Sequence, residues 1–307
     1  MSTPPAENDS QLDSPPAAIS AQPADRSPLV AAAILTIAVC IVYGPATSAP
    51  FIFDDKISVV QNASITELWP LWTSSGKPSP LAPAQESVTA GRPLVNLSLA
   101  LNYRLGKLNP RGYHLVNLAL HLMSAMLLWA IVRRTLRLPA LAERFASAAG
   151  PLALAAALVW ALHPLNTEAV EYVSQRTELM MTLFYLATLW ASVHYFQVET
   201  RVSRGMWLSL ATLACLLGMA CKEVMVSAPL VVLMFERTFV AGSFARALRR
   251  SWPLYLGLTA TWSLLFALNY GGPRSNTAGF HLGLPAYVWW LTQSKVLCMY
   301  MKLAVWP

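Results

Sequence analysis

Apolar residues in this chain come in long runs, not in the short alternations of a soluble core. The first run, Leu29–Tyr43, follows residues 1–27, which are rich in Pro, Ser, Ala and Gln and nearly empty of large apolar side chains. A segment of that composition cannot bury enough surface to offset the entropy of ordering it, so a disordered cytoplasmic tail is expected there. Residues 49–112 form a long polar loop, within which apolar residues at helical spacing from Leu94 to Leu105 predict a helix lying flat on a bilayer. Apolar helices are predicted next over His114–Val132, over Ala146–Leu162, in a run ending near Phe196, over Met206–Cys221, in a run to Phe235, and over Pro253–Tyr270. A last apolar stretch, Leu284–Val305, is interrupted by Lys295 and Lys302. These lengths approach the ~20 residues needed to cross ~30 Å of hydrocarbon. The expected fold is therefore all-α and polytopic, with seven to eight transmembrane helices in a domain over residues 28–307. Ala46-Thr47-Ser48-Ala49 has something of a cleavage site, but the preceding region is long and acidic, with Arg26 its one positive charge. A signal anchor is the favoured reading over a cleaved leader.

Composition agrees. Hydrophobic residues make up 55% and charged residues 12%, against the quarter charged that is usual in soluble domains. The formal charge of +7 raises nucleic acid as a partner, but the basic residues are scattered through short loops between apolar runs, which argues against it. They sort by side. With the N-terminus inside, the short cytoplasmic loops carry ten arginines (133, 134, 137, 144, 201, 204, 237, 246, 249 and 250), and the opposite short loops, leaving aside the long loop 49–112, carry three cations, Arg176, Lys222 and Arg274. The acids sort the other way: Asp54, Asp55, Glu67, Glu86, Glu168, Glu171, Glu178 and Glu223 all fall outside. Carboxylates and cations from distant segments thus converge on one membrane face. The Ala- and Arg-rich style favours a bacterial inner membrane, with that face toward the periplasm, over the endoplasmic reticulum. Cys40, Cys215, Cys221 and Cys298 lie in apolar stretches without metal-ligand spacing and read as packing residues. The sequence carries no Walker loop, Gly-rich dinucleotide turn, nucleophile elbow or His-Glu-x-x-His, which disfavours cytosolic nucleotide chemistry.

Four places carry candidate chemistry. Asp54-Asp55 directly follows the first membrane run. It is either a solvated acidic stop or a general base with a supporting carboxylate; adjacent residues point in different directions, so one base and one orienter are expected. After His163-Pro164, a helix capped by Asn166 or Thr167 would present Glu168, Glu171, Gln175 and Glu178 on one face, with Arg176 a right angle away. The plain alternative is an amphipathic interfacial helix. Lys222-Glu223 lies between two apolar runs, either at the outer surface or neutralising itself inside a cavity. Lys295 and Lys302, two turns apart, join Arg92 and Lys222 as candidate holders of a lipid phosphate, unless the lysines only snorkel to an interface. His114 and His121 share the two-turn spacing and read as packing. A transporter or lipid-carrier translocase would also use intramembrane charges, but here they cluster at one face and matched broken helices are not evident. A catalytically inactive scaffold subunit is the third reading.

An ordered series of short motifs bears on the choice. It runs Phe51-Ile52-Phe53-Asp54-Asp55, Arg92-Pro93-Leu94, Asn102-Tyr103, Asn109-Pro110-Arg111-Gly112-Tyr113-His114-Leu115-Val116-Asn117 and His121, then His163-Pro164-Leu165-Asn166-Thr167-Glu168-Ala169-Val170, Arg176, Lys222-Glu223 and Leu291-Thr292-Gln293. Over residues 29–307 this resembles the transmembrane-and-tetratricopeptide-repeat O-mannosyltransferases and their bacterial relatives, of the GT-C glycosyltransferase class. The resemblance implies an extracytoplasmic active site and a polyprenyl-phosphate sugar donor carrying a hexose such as mannose, with an acceptor that is a protein or a glycan. It implies Asp54 as base and Asp55 as support or as ligand of a divalent cation. It also implies His163, Glu168, Arg176, Lys222 and Glu223 as pocket residues with Asn102 among them, and Arg92, Lys295 and Lys302 at the donor phosphate. The family pattern differs here at Glu171, Gln175 and Glu178, where relatives carry a small residue, a Gly and an Asp. Relatives also continue into further membrane helices and repeats, so the domain reads as incomplete at its C-terminal end, as a fragment or a truncated homologue.

Overall fold

The computed structural model describes residues 27–72, 77–84, 87, 89–270 and 285–306. The expected tail, and Glu86 and Arg274, lie outside the described residues. Twelve helices follow in order among those described: α1 Ser27–Tyr43, α2 Pro93–Gly106, α3 Pro110–Leu136, α4 Pro139–Phe145, α5 Ala149–Ala161, α6 Asn166–Glu171, α7 Arg176–Gln197, α8 Arg201–Met219, α9 Ala228–Glu236, α10 Phe244–Ala260, α11 Trp262–Asn269 and α12 Ala286–Val305. The protein is an all-α, multi-pass membrane protein. Five stretches among the described residues are long and apolar enough to cross a bilayer: Pro28–Ser48, Pro110–Leu136, Val173–Gln197, Arg201–Met219 and Glu223–Ala241. A sixth arises if α4 and α5, bent by 98°, count as one span.

That total is below the seven to eight expected, and the physical reasons are local. The run from Pro253 is not a helix of its own: α10 begins at Phe244 and kinks at Ser251 (φ −122°, ψ 23°). A proline inside a helix removes a donor and clashes with the preceding turn, which places the break just before Pro253. Thr261 then separates α10 from α11. In α12, Lys295 and Lys302 interrupt the apolar run, and both are exposed.

Two apolar clusters hold the bundle. Ala149, Ala153, Ala157 and Ala161 are fully buried along one side of α5, and the last three form one cluster with Leu35 and Val39 of α1 and with Ala125 and Trp129 of α3. Small residues at every fourth position let helix backbones approach closely, which drives association where water does not. In the other, α7 to α10 pack through Met180, Ala211, Cys215, Met219, Met225 and Leu258. Cys215 and Cys221 are buried there, as packing residues should be, whereas Cys40 on α1 and Cys298 on α12 are exposed, on helix faces that no other described element covers. A third, smaller cluster (Val59, Ile65, Leu99, Ala100, Tyr113 and Val173) seats the first outer loop on α2, α3 and the start of α7.

The outer loop has a polar core of its own. Asn96 on α2 is fully buried; its Oδ1 accepts from Asn62 Nδ2 and from Thr89 Oγ1, both at 2.9 Å, and its Nδ2 donates to Ser64 Oγ at 2.9 Å and to the Pro80 carbonyl at 3.0 Å. A buried amide is tolerated when its donors and acceptors are all matched, and such a network then specifies one arrangement of the loop. Arg92, four residues before Asn96, is held in register by that arrangement.

Candidate active site

The convergence expected from the charge pattern has a single backbone at its centre, residues 172–178. The chain leaves helical geometry at Tyr172 (φ −96°, ψ 116°), makes a short 3₁₀ turn over Val173–Gln175 and enters α7 at Arg176. The one continuous helix expected to align Glu168, Glu171, Gln175 and Glu178 is therefore two helices with a break between them. Gln175 still reaches back to Glu168 Oε1, at 3.3 Å. Breaking the helix frees main-chain groups for other segments, and these take them up.

Tyr172 and Ser174 hold the aspartate pair. The Asp54 N–H donates to the Tyr172 hydroxyl at 2.7 Å, and the Ser174 N–H donates to Asp55 Oδ1 at 2.7 Å. Asp55 Oδ2 accepts from the Ile52 N–H at 3.4 Å. Asp55 is wholly buried and Asp54 is exposed. Burial pushes the Asp55 carboxyl above its ordinary range, and the amide donors from Ser174, Ile52 and Val173 pull it part of the way back. The two neighbours thus divide as a backbone geometry of alternating directions requires, one anchored inward and one presented outward. Phe53, just before them, has a left-handed backbone (φ +41°) and is 81% exposed. For a bulky residue that conformation costs on the order of 1–3 kcal/mol, and it occurs where surrounding structure dictates the turn.

Beside this turn lies a cleft of about 580 Å³, walled by Ala49, Ile52, Phe53, Glu168, Glu171 and Tyr172 with neighbouring small residues. Most of its wall is hydrocarbon; Glu168 and Glu171 bring the charge.

Arg176 sits on the other side of the 172–178 backbone. It is fully buried, and every contact it makes is to a neutral acceptor: Nε to Asn117 Oδ1 at 2.9 Å, Nη1 to Asn102 Oδ1 at 2.6 Å and to the Ser98 carbonyl at 3.3 Å, and Nη2 to the Tyr113 carbonyl at 2.9 Å. Its guanidinium also lies over the Tyr113 ring, 5.6 Å from the centroid. Asn102 donates onward to the Gly112 carbonyl at 3.1 Å, and Asn117 to the Tyr172 carbonyl at 3.2 Å. Arg176 and Asn102, expected as pocket residues, are thus the clamp that ties α2 and α3 to the start of α7.

Thr177 and Glu178 reach the junction between α8 and α9. Thr177 Oγ1 donates to the Cys221 carbonyl at 2.8 Å, and Lys222 pairs with Glu178. Arg92 approaches Glu223 at 3.9 Å, and the Leu94 N–H donates to the Ala220 carbonyl at 3.4 Å. Lys222 and Glu223 each take a partner from another outer segment. Burial, with Arg92 nearby, pushes the Lys222 ammonium below its usual range.

The remaining candidates are more dispersed. His163 accepts the Leu165 N–H at Nδ1 (3.2 Å) and donates from Nε2 to the Ala304 carbonyl (3.2 Å), which sets the last turn of α12, with Lys302, beside the start of α6. Lys295 and Lys302 are exposed, and neither is a wall of the cleft. His114 bonds the Ala49 carbonyl at 3.1 Å; His121 bonds the Ala161 carbonyl at 2.9 Å and stacks on Trp160, so both pack as expected. Among the described residues no group of three His, Cys, Asp or Glu is placed to share a metal ion. Sequence reasoning missed Tyr172, Ser174 and Asn117. Only Asn117 carried a local signal, an amide within a predicted membrane run.

Comparison with known proteins places the chain near one group. It is 30% identical over 201 residues to the protein O-mannosyl-transferase Tmtc2 of Drosophila melanogaster, covering 64% of this chain and 20% of that protein. It is 32% identical over 205 residues to Tmtc3 of the same organism (62% and 22%), and 29% identical over 178 residues to human TMTC3 (56% and 18%). The matched part is about a fifth of the length of these relatives. No protein-family model matches the chain, and no solved structure does.

Proposed function

We propose, from this similarity to protein O-mannosyl-transferases, that the chain carries the membrane-embedded catalytic part of a GT-C-type glycosyltransferase. It moves a hexose such as mannose from a polyprenyl-phosphate carrier to a hydroxyl acceptor, on the membrane face opposite the arginine-rich loops. The observation that carries this reading is an exposed Asp54 next to a buried, amide-anchored Asp55, in a turn tied to Tyr172 and adjoining a largely apolar cleft whose wall includes Phe53 and Tyr172. An isoprenoid-linked donor needs hydrocarbon beside the reacting centre, and an attacking hydroxyl needs a carboxylate that is accessible and fixed.

In the reaction, the acceptor O–H gives its proton to the Asp54 carboxylate while its oxygen attacks the anomeric carbon. The bond from that carbon to the phosphate oxygen breaks, and the polyprenyl phosphate leaves with the electron pair, so the configuration inverts. The leaving group is already an ionised phosphate and calls for positive charge in place of an acid. Lys222, paired with Glu178, and Arg92, beside Glu223, are cations at this end of α7 that are not locked inside the clamp as Arg176 is, and Lys302 lies near the His163 contact; each would exchange a carboxylate or water for the phosphate. Glu168 and Glu171, in the cleft wall, are suited to hydrogen-bond sugar hydroxyls.

The test supplies the purified full chain with a hydroxyl acceptor peptide and either radiolabelled polyprenyl-phosphate mannose or radiolabelled nucleotide-linked mannose. Label should move, to peptide or slowly to water, from the lipid-linked donor alone. Transfer from the nucleotide sugar, or none from the lipid-linked donor in chain that melts cooperatively, overturns the proposal.

A further inference from the structure

A second site-like feature lies at the opposite end of the bundle. The 27 residues of α3 place Arg133 and Arg134 some 30 Å along the helix from Tyr113, at 1.5 Å per residue, and Arg137 caps its end. There a cleft of about 510 Å³ opens between α3, the start of α4 and the end of α7, walled by these three arginines and by Trp190, His194 and Gln197. No carboxylate is among its walls.

Three like charges within five residues at the end of one helix repel each other. Arg133 and Arg137, at i and i+4, alone cost a few tenths of a kcal/mol. Arginines that only mark a membrane boundary can relieve this by spreading into solvent. Two of the three do not: Arg133 and Arg134 are half-buried, and the Arg134 Nε is buried without an acceptor among the described residues. Arg133 is held over the Trp129 ring, 5.1 Å from the centroid. His194 commits Nδ1 to the Trp190 carbonyl at 2.9 Å and stacks on Trp207, which fixes the far wall and leaves Nε2 for another partner. A concave, rigid, cation-lined site with an unmatched buried donor calls for an anion with several acceptor oxygens.

We propose that this cleft binds a phosphate group, independently of the aspartate site. Planar guanidinium forks match phosphate oxygens in pairs, and basic pockets between membrane helices at the arginine-rich face are suited to anionic headgroups. The ligand chemistry is a phosphate mono- or diester, and it has two sources, a lipid headgroup or a soluble phosphate.

The purified full chain in zwitterionic micelles is titrated with dioctanoyl phosphatidylglycerol, read by native mass spectrometry, and separately with inorganic phosphate at constant ionic strength, read by calorimetry. Arg134→Gln, Arg137→Gln and Arg201→Gln are compared with the parent. Arg137 and Arg201 are both exposed, so those variants should fold, and Arg201 is not a wall of the cleft. Saturable binding of one phosphatidylglycerol, weakened about tenfold by Arg134→Gln and by Arg137→Gln and unchanged by Arg201→Gln, supports the site with a lipid as its source. The same ranking with inorganic phosphate and none with the lipid supports it with a soluble source. Equal weakening by Arg201→Gln, or no saturable binding of either probe, overturns it.

Discussion

Arg176→Ala separates a structural clamp from a substrate contact. In the parent, Asn102 Oδ1 and Asn117 Oδ1 each accept from the guanidinium inside the protein, at 2.6 and 2.9 Å. Alanine leaves both oxygens buried without that donor. The carbonyls of Ser98 and Tyr113 also lose a bond, but a helical carbonyl keeps its own ladder partner. At about 1–3 kcal/mol for each orphaned acceptor, two of them cost about 2–6 kcal/mol. Removing the guanidinium also removes its desolvation cost, but in the parent four charge-assisted bonds already offset that. The loss is a large fraction of the 5–15 kcal/mol that holds a typical domain, and corresponds to a fall in melting temperature of roughly 5–20 °C. Thermal melting in detergent, followed by circular dichroism, measures it. Arg176→Lys keeps the charge without the fork and should fall between the two. If Arg176→Ala melts within about 2 °C of the parent, the clamp reasoning is wrong. An unchanged melt with a raised KM for donor would place Arg176 in the pocket after all.

Three further outcomes follow from the same contacts. Tyr172→Phe removes the hydroxyl that accepts the Asp54 N–H; it should cost about 1 kcal/mol of stability by melting and lower kcat about tenfold or more, whereas a purely structural role would leave kcat in proportion to folded protein. For Asp55, whose acid is raised in the folded state, native structure prefers the protonated form. The associated stability is present below about pH 4 and is lost as pH rises through the elevated native value, so melting temperature across that window should fall more in the parent than in Asp55→Asn. Parallel profiles for the two would remove Asp55 from this titration. Asn96→Ala leaves Asn62 and Thr89 without their shared acceptor and should loosen the outer loop, seen as faster amide exchange over residues 58–66, with the membrane helices unaffected.

What could be read from sequence was whatever is written locally. Apolar runs announced α1, α3, α7 and α8 because a bilayer demands them residue by residue, and Leu94–Leu105 announced α2 through its spacing. The adjacency of Asp54 and Asp55 was enough to expect unlike roles. The clamp was not legible: Arg176 carries one charge in an outer segment, and only the fold reveals that Asn102, Asn117 and two carbonyls surround it. The same holds for Lys222, whose nearest acid in sequence is Glu223 and whose partner in space is Glu178, 44 residues away. The break at Tyr172 was missed because Glu168–Glu178 is compatible with a helix. What ends the helix is the demand of the first loop for the Ser174 amide, a tertiary contact with no local sign.

Single-turnover transfer from polyprenyl-phosphate mannose, compared between the parent and Asp54→Asn at matched folded concentration, tests the central claim most directly. Because Asp54 is exposed, the variant should melt with the parent and bind donor with similar affinity. Its transfer rate should fall by about 10²–10⁴-fold, the usual contribution of a positioned general base. A rate within threefold of the parent would contradict the assignment of Asp54 and, with it, the reading of the cleft as an active site.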